Sequence, residues 1–166
     1  MKETTEAEML RKMAAYCAAS EHCAEEVRKK IDAAGLPGDA AGRIIARLKE
    51  EKFIDEARYA HSFTNDKFRF NKWGRVKIAY ELQRKNIPEA FINEALASID
   101  EAEYRATLLD LLRGKLKSTK YKDGRDLYAK LSRFAASRGF EGATTYACLR
   151  DLVNSTTDEP DDAALE

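Results

Sequence analysis

Proline and glycine are scarce in this chain of 166 residues, with 3 and 8 respectively, so few positions force the backbone to break. No apolar run exceeds a few residues, and Met1 leads into charged residues. A membrane span and a secretory leader are therefore not expected. The three cysteines, Cys17, Cys23 and Cys148, are odd in number and form no CxxC pair, which reads as reduced thiols in the cytoplasm. No GxxxxGK[ST] loop, GxGxxG turn or GxSxG elbow occurs, and there are only two histidines. His22 with Cys17 and Cys23 finds no further ligands at metal spacing, so the trio reads as incidental. His61, between Tyr59 and Phe63, reads as packed or exposed. We expect no catalyst, no metal and no cofactor.

What the chain does have is repetition. The pentapeptides TEAEM, DEARY and DEAEY begin at Thr5, Asp55 and Asp100. Each opens with a capping residue. Apolar pairs at helical spacing follow: Val27 and Ile31, Ile78 and Leu82, Leu131 and Ala135. Gly35, Asn86 and Gly139 come next, residue types that suit the left-handed end of a helix. Ten and thirteen places further on stand Ile45 and Leu48, Leu96 and Ile99, Leu149 and Leu152. Each unit thus reads as three helices in about fifty residues, longer than tetratricopeptide or ankyrin units. Pro88 should occupy the first position of a helix. The third unit carries about eight extra residues around GKLKSTKYKDG, which read as an exposed loop. Units this small should stack, so the expected fold is all-α, an elongated array of three tandem three-helix repeats. The repeats span 4–54, 55–99 and 100–154, followed by an acidic, disordered tail at 155–166.

The formal charges sum to zero but are unevenly placed. Lys67, Arg69, Lys72, Arg75, Lys77, Arg84 and Lys85 face one acid, Glu81, within a single stretch. Arg113, Lys115, Lys117, Lys120, Lys122 and Arg125 face only Asp123 in another. The first stretch interleaves its bases with Phe68, Phe70 and Trp73, the composition of a surface that neutralises phosphates and stacks bases. The same residues also suit an inter-helix core beside a solvated basic face. Trp73, next to Gly74, favours the surface. Lys67, Lys72, Arg75 and Lys77 are expected to be exposed charges that contribute little to folding.

Four segments, EHCAEEVRKKI, LKEEKFIDEARYAHSF, KWGRVKIAYELQRKNI and LSRFAASRGF, resemble in order those that mark the RecX family of recombination regulators. Glu21 and His22 match the family's Arg-Glu-His-Ser segment, with Cys23 in place of Ser. Ile54, Asp55, Glu56, Arg58 and Tyr59 match its Leu-Asp-Asp-x-Arg-Phe segment. Trp73, Gly74, Lys77, Ile78, Glu81 and Leu82 match its Gly-aromatic-Gly-Pro motif and the helix that follows. There, Lys72 stands for the first Gly and Arg75 for Pro. Phe134, Arg138, Gly139 and Phe140 match the end of its last repeat. The resemblance covers about residues 10 to 153. It implies tandem three-helix repeats and a monomer that binds the RecA recombinase filament and inhibits its ATP hydrolysis and strand exchange. It implies no membrane partner. The expected contacts, to RecA or to single- or double-stranded DNA, are Lys67, Arg69, Lys72, Trp73, Arg75, Lys77, Arg84, Lys85, Lys115, Lys117, Lys120, Lys122 and Arg125. Two other readings stand beside this one. They are a DNA-binding helical module using the helix–turn–helix likeness of ELQRKNI, and an interaction scaffold with no nucleic-acid role.

Overall fold

The computed structural model describes residues 4–158, with side chains through Asn154. The described residues form helices and no strand. In order they are α1 (Glu6–Ala19), α2 (Ala24–Ala33), α3 (Gly38–Glu50), α4 (Glu56–Arg69), α5 (Arg75–Arg84), α6 (Glu89–Ala97), α7 (Glu101–Ser118), α8 (Gly124–Ser137) and α9 (Gly142–Asp158). The all-α fold of tandem three-helix units follows.

The pentapeptides start helices because their first residues are caps. The Thr5 hydroxyl accepts from the Glu8 N–H at 3.1 Å, and the Asp55 carboxylate from the Arg58 N–H at 3.0 Å. Asp100 accepts from the Glu103 N–H at 2.9 Å. The second helix of each unit ends at the expected residue, with φ of 79° at Gly35, 60° at Asn86 and 91° at Gly139. Beyond Asn86 and Gly139 the chain folds back on the last turn. The Ile87 N–H donates to Leu82 O and the Phe140 N–H to Ala135 O.

Four details differ from expectation. Pro88 precedes its helix rather than opening it: its ψ of 140° is extended, and α6 starts at Glu89. In the middle repeat Ile92 and Ala95 are the buried pair on α6, while Leu96 and Ile99 are half-buried. Ile99 lies past the end of that helix. The extra residues of the third repeat lengthen two helices: α7 has 18 residues against 14 in α1 and α4, and α8 has 14 against 10 in α2 and α5. Leu and Lys are good helix formers and extend α7. Finally, α9 continues to Asp158, past the Ser155 where the tail was placed. The remainder of that tail, 159–166, lies outside the described residues.

The chain divides into two compact units, Met1–Asp66 with Ala79–Ser98, and Lys67–Ile78 with Ile99–Glu166. In the first, α3 packs on both α1 and α2. Met9, Met13 and Cys17, spaced four apart on α1, meet Val27 and Ile31 of α2 and Ile44, Ile45 and Leu48 of α3. Burying each large aliphatic side chain contributes about 1.5–3 kcal/mol. A polar cluster stands beside that core. Glu26 binds His22 Nδ1 at 2.7 Å, the Tyr59 hydroxyl at 2.7 Å and Lys85 Nζ at 3.5 Å. Burial opposes the Glu26 charge, but the hydrogen bonds from His22 and Tyr59 and the Lys85 charge outweigh it. They hold the carboxyl below its ordinary range. Burial, then Glu26, pushes the Tyr59 phenol up. The cysteines are unbridged and buried, and burial raises each thiol.

In the second unit α7, α8 and α9 pack on one another. Tyr104, Leu108 and Leu112 of α7 are fully buried, with Leu131 and Ala135 of α8 and Leu149 and Leu152 of α9 around them. Phe68, Tyr104 and Phe140 form a run of rings with centroids 5.7 and 5.1 Å apart.

Gly35 and Gly139 both sit in the left-handed region but in different surroundings. A Cβ on Gly35 would meet nothing within 4 Å, whereas one on Gly139 would lie 2.3 Å from the Lys77 Cβ. Gly35→Ala should therefore cost about 1 kcal/mol, the left-handed penalty alone. Gly139→Ala should cost clearly more, because the backbone must also move. Urea unfolding of both variants checks the ranking.

Candidate functional site

Lys67 through Lys77 of the first basic stretch lie in the second unit, from the end of α4 to the start of α5. The structure separates its two phenylalanines. Phe68 is buried against Tyr104, while Phe70 is 79% exposed. Half-buried Trp73 lies between two cations, with Lys67 Nζ 4.9 Å and Lys77 Nζ 4.6 Å from its ring centroid. Each such contact contributes about 0.5–1 kcal/mol at an accessible site. Arg69 and Lys72 are exposed. The Lys72 φ is 57°, in the left-handed region that residues with a side chain rarely adopt.

Gly74 fixes that turn from beneath. Its N–H donates to Arg138 O at 2.8 Å, the Val76 N–H donates to Gly139 O at 2.9 Å, and Arg138 Nη2 reaches Asn71 O at 2.8 Å. A Cβ on Gly74 would stand 2.3 Å from Gly139 O, so two backbones meet where only glycine fits.

Of the four charges expected to be exposed only Lys72 is: Lys67 and Lys77 are half-buried against Trp73, and Arg75 is half-buried in a polar cluster. The Arg75 guanidinium pairs with Glu101 and, at 3.0 Å, with Glu141, and it lies 3.9 Å over the Tyr104 ring. Its backbone N–H donates to the Tyr104 hydroxyl at 3.0 Å, and that hydroxyl donates to Glu141. A proline at this position could not give the N–H bond. Burial works against the Arg75 charge, and the bonds to Glu101 and Glu141 more than offset it, raising its pKa. Burial and then Glu141 push the Tyr104 phenol up. Reversing Arg75 along with its lysine neighbours would thus break a partly buried cluster. The sequence reading did not find Tyr104 and Glu141 as its partners. The available signal was a tyrosine closing the pentapeptides at 59 and 104, since a buried tyrosine needs a hydroxyl partner.

The other expected contacts are dispersed. Arg84 and Lys85 belong to the first unit, where Arg84 pairs with Glu81 at 3.6 Å and Lys85 with Glu26. Lys115, Lys117, Lys120, Lys122 and Arg125 belong to the second and are all exposed. They do not share one loop: Lys115 and Lys117 ride the last turns of α7, and Arg125 stands in the first turn of α8. Among the described residues no group of three or more His, Cys, Asp or Glu could hold a metal. No described helix is long and apolar enough to cross a membrane.

Two family models match this helical order, "RecX, second three-helix domain" over 55–96 and "RecX, third three-helix domain" over 102–149, together more than half of the chain. The chain belongs to the RecX family. Regulatory protein RecX of Clostridium botulinum is 34% identical over 132 residues, which cover 78% of this chain and 59% of that one. The protein of the same name from Prosthecochloris aestuarii is 25% identical over 157 residues, 93% of this chain and all of its own. The chain spans about six tenths of the clostridial relatives it matches. The crystal structure of RecX from Lactobacillus salivarius superposes with a TM-score of 0.80 at 17% identity, covering 89% of this chain and 96% of that one, a likeness of fold. The Gly74 turn lies within the second-domain match, and Gly139, which meets it, within the third-domain match.

Removing one oxygen tests the buried cluster. Tyr104→Phe leaves the Arg75 N–H without its acceptor and Glu141 Oε1 without its phenol donor, and should cost about 1–3 kcal/mol. Tyr121→Phe, at a half-exposed ring, should leave the urea midpoint unchanged.

Proposed function

We propose that this chain is a non-enzymatic regulator that binds the RecA recombinase filament and lowers its ATP hydrolysis and strand exchange in recombination and DNA repair. RecX membership supports a regulatory role, and the RecA partner comes from the family resemblance. The observation that carries the reading to particular residues is the surface around Trp73. An aromatic ring clasped by Lys67 and Lys77, with Phe70 beside it in the chain and 79% exposed, offers apolar area and positive charge together. Exposed apolar side chains amid bases mark a contact surface, and aromatic and basic anchors dominate binding energy. Arg69 and Lys72 extend the charge, while Arg75 supports the turn from behind. Regulation by occupancy needs no catalytic group, and a partner that works on DNA would have the chain act in the cytoplasm.

RecA ATP hydrolysis on single-stranded DNA, titrated with the full chain, tests the reading. Hydrolysis should fall as the chain is added, with no turnover by the chain itself. Arg69→Glu with Lys72→Glu should weaken the effect about tenfold, since two exposed charge pairs contribute up to about 1 kcal/mol each. The melting temperature should hold. Arg28→Glu with Lys29→Glu, on an exposed face of α2, should change neither. Unchanged hydrolysis with a matched RecA, or binding to bare DNA alone, would count against the regulator.

A further inference from the structure

Four of the seven exposed large apolar residues described, Tyr121, Tyr128, Tyr146 and Val153, lie around α8 and α9 of the second unit, each 45–58% exposed. Three of them border an apolar groove of about 330 Å³ between α8, α9 and the end of α7. The buried Leu131, Leu149 and Leu152 form its floor, and none of the described lining residues is charged. Apolar surface of this kind, set amid exposed polar residues, marks a contact site. We propose that this groove docks an acidic amphipathic helix of a protein partner.

The extent of the apolar surface favours a helix over a small compound, which a pocket would have to enclose almost entirely. Here the surface runs on past the groove. Tyr146 does not line it, yet the Tyr146 ring stands edge-on to Tyr128 with centroids 6.5 Å apart. On α9, Tyr146, Leu149 and Val153 follow one another at three and four residues and so share a face. On α8, Leu127 and Tyr128 stand four and three residues before Leu131 and share another. Two apolar rows with a trough between them fit the side chains that a third helix presents at the same spacing.

Charge selects the sign of that helix. Arg125 stands three residues before Tyr128, and the Arg150 guanidinium lies 6.0 Å from the Tyr146 ring centroid. Lys117 and Lys122 adjoin Leu116 and Tyr121, whereas Lys115 and Lys120 line a different cleft. Arg125, Arg150, Lys117 and Lys122 are all exposed. The acids beside them are Asp123, which caps α8, exposed Asp151, and Asp126, which pairs with Lys130 at 3.1 Å. With that pair cancelling, four bases stand against two acids. A second copy laid face to face would bring the same bases together, and like charges across an interface are costly. An acidic helix meets them with the opposite sign. The anchors are apolar residues and Arg150, apart from the Trp73 surface, so the proposal does not rest on the recombinase reading.

The test presents the full chain with synthetic helical peptides of about fifteen residues. Each has leucine or phenylalanine recurring three and four apart and glutamate on the opposite face, and a matched set carries lysine for glutamate. At least one acidic peptide should bind, and the lysine set should not. Tyr121→Ala with Tyr128→Ala should weaken that binding about tenfold or more, as loss of aromatic anchors does. Arg125→Glu with Arg150→Glu should weaken it about tenfold and flatten its dependence on salt. Tyr80→Ala, at an exposed ring of the first unit, should leave it unchanged. Should the tyrosine variant fail to fold, amide shifts of the unmodified chain decide: Leu127, Tyr128 and Leu149 should move with the peptide. Binding of no acidic peptide, equal binding of the lysine set, unchanged binding by the tyrosine variant, or shifts confined to other residues would overturn the proposal. Self-association of the full chain that the tyrosine variant abolishes would assign the groove to a second copy instead. Binding that appears only when residues 159–166 are removed would assign it to this chain's own acidic segment, and either result overturns the partner helix. None of these results bears on RecA hydrolysis, which is read separately.

Discussion

Two backbones meet at Gly74 and Gly139 with no side chain between them, and the candidate surface of the second unit depends on that contact. The Gly74 and Val76 N–H groups donate to the carbonyls of Arg138 and Gly139, so the start of α5 is fastened to the turn that follows α8. Any Cβ at either glycine would fall within 2.3 Å of the other strand of chain. Held there, the backbone directs Trp73 and Phe70 differently from Phe68, which enters the core. The Arg75 cluster locks the same place from the other side. Its cation is satisfied by Glu101 and Glu141, and its N–H by Tyr104. A paired, partly buried charge of this kind does not add much net stability, but removing one member leaves the others uncompensated. The basic residues of one short segment thus divide into a structural Arg75, half-buried Lys67 and Lys77 against Trp73, and exposed Arg69 and Lys72.

The first unit contains a similar device. The tyrosine ending DEARY donates to Glu26, as the tyrosine ending DEAEY donates to Glu141. In both cases the fifth residue of the pentapeptide is an aromatic ring that fills the core and a hydroxyl that meets a carboxylate. The first pentapeptide ends in Met9, buried with no hydroxyl to satisfy. The repeat therefore specifies more than helix starts: in two of its three copies it also provides a polar anchor inside an apolar core.

Features written in residue type were legible in the sequence. Thr5, Asp55 and Asp100 cap because their side chains accept hydrogen bonds, and Gly35, Asn86 and Gly139 turn left because their type tolerates it. Lys52 and Lys72 adopt φ of 65° and 57° without any such signal, and were not legible. Phe68 and Phe70 could have been separated earlier, since residues two apart near a helix end point to different sides. Arg75 could not: its charge was plain, but Glu141 lies 66 residues away and only the fold brings it near. Local charge counts see neighbours in the chain, whereas the fold collects neighbours in space.

This division of labour makes the account of function specific. The turn at Lys72, the ring of Trp73 and the exposed Phe70 should be what a filament touches, and Arg75 with Tyr104 should be what holds them out. Hydrogen exchange on the full chain, with and without RecA filaments on single-stranded DNA, measures this most directly. The account predicts slowed exchange in amides 69–73 when filaments are added, with the Arg75 amide, already bonded to Tyr104, slow in both states. Unchanged exchange at 69–73 alongside protection elsewhere would contradict it.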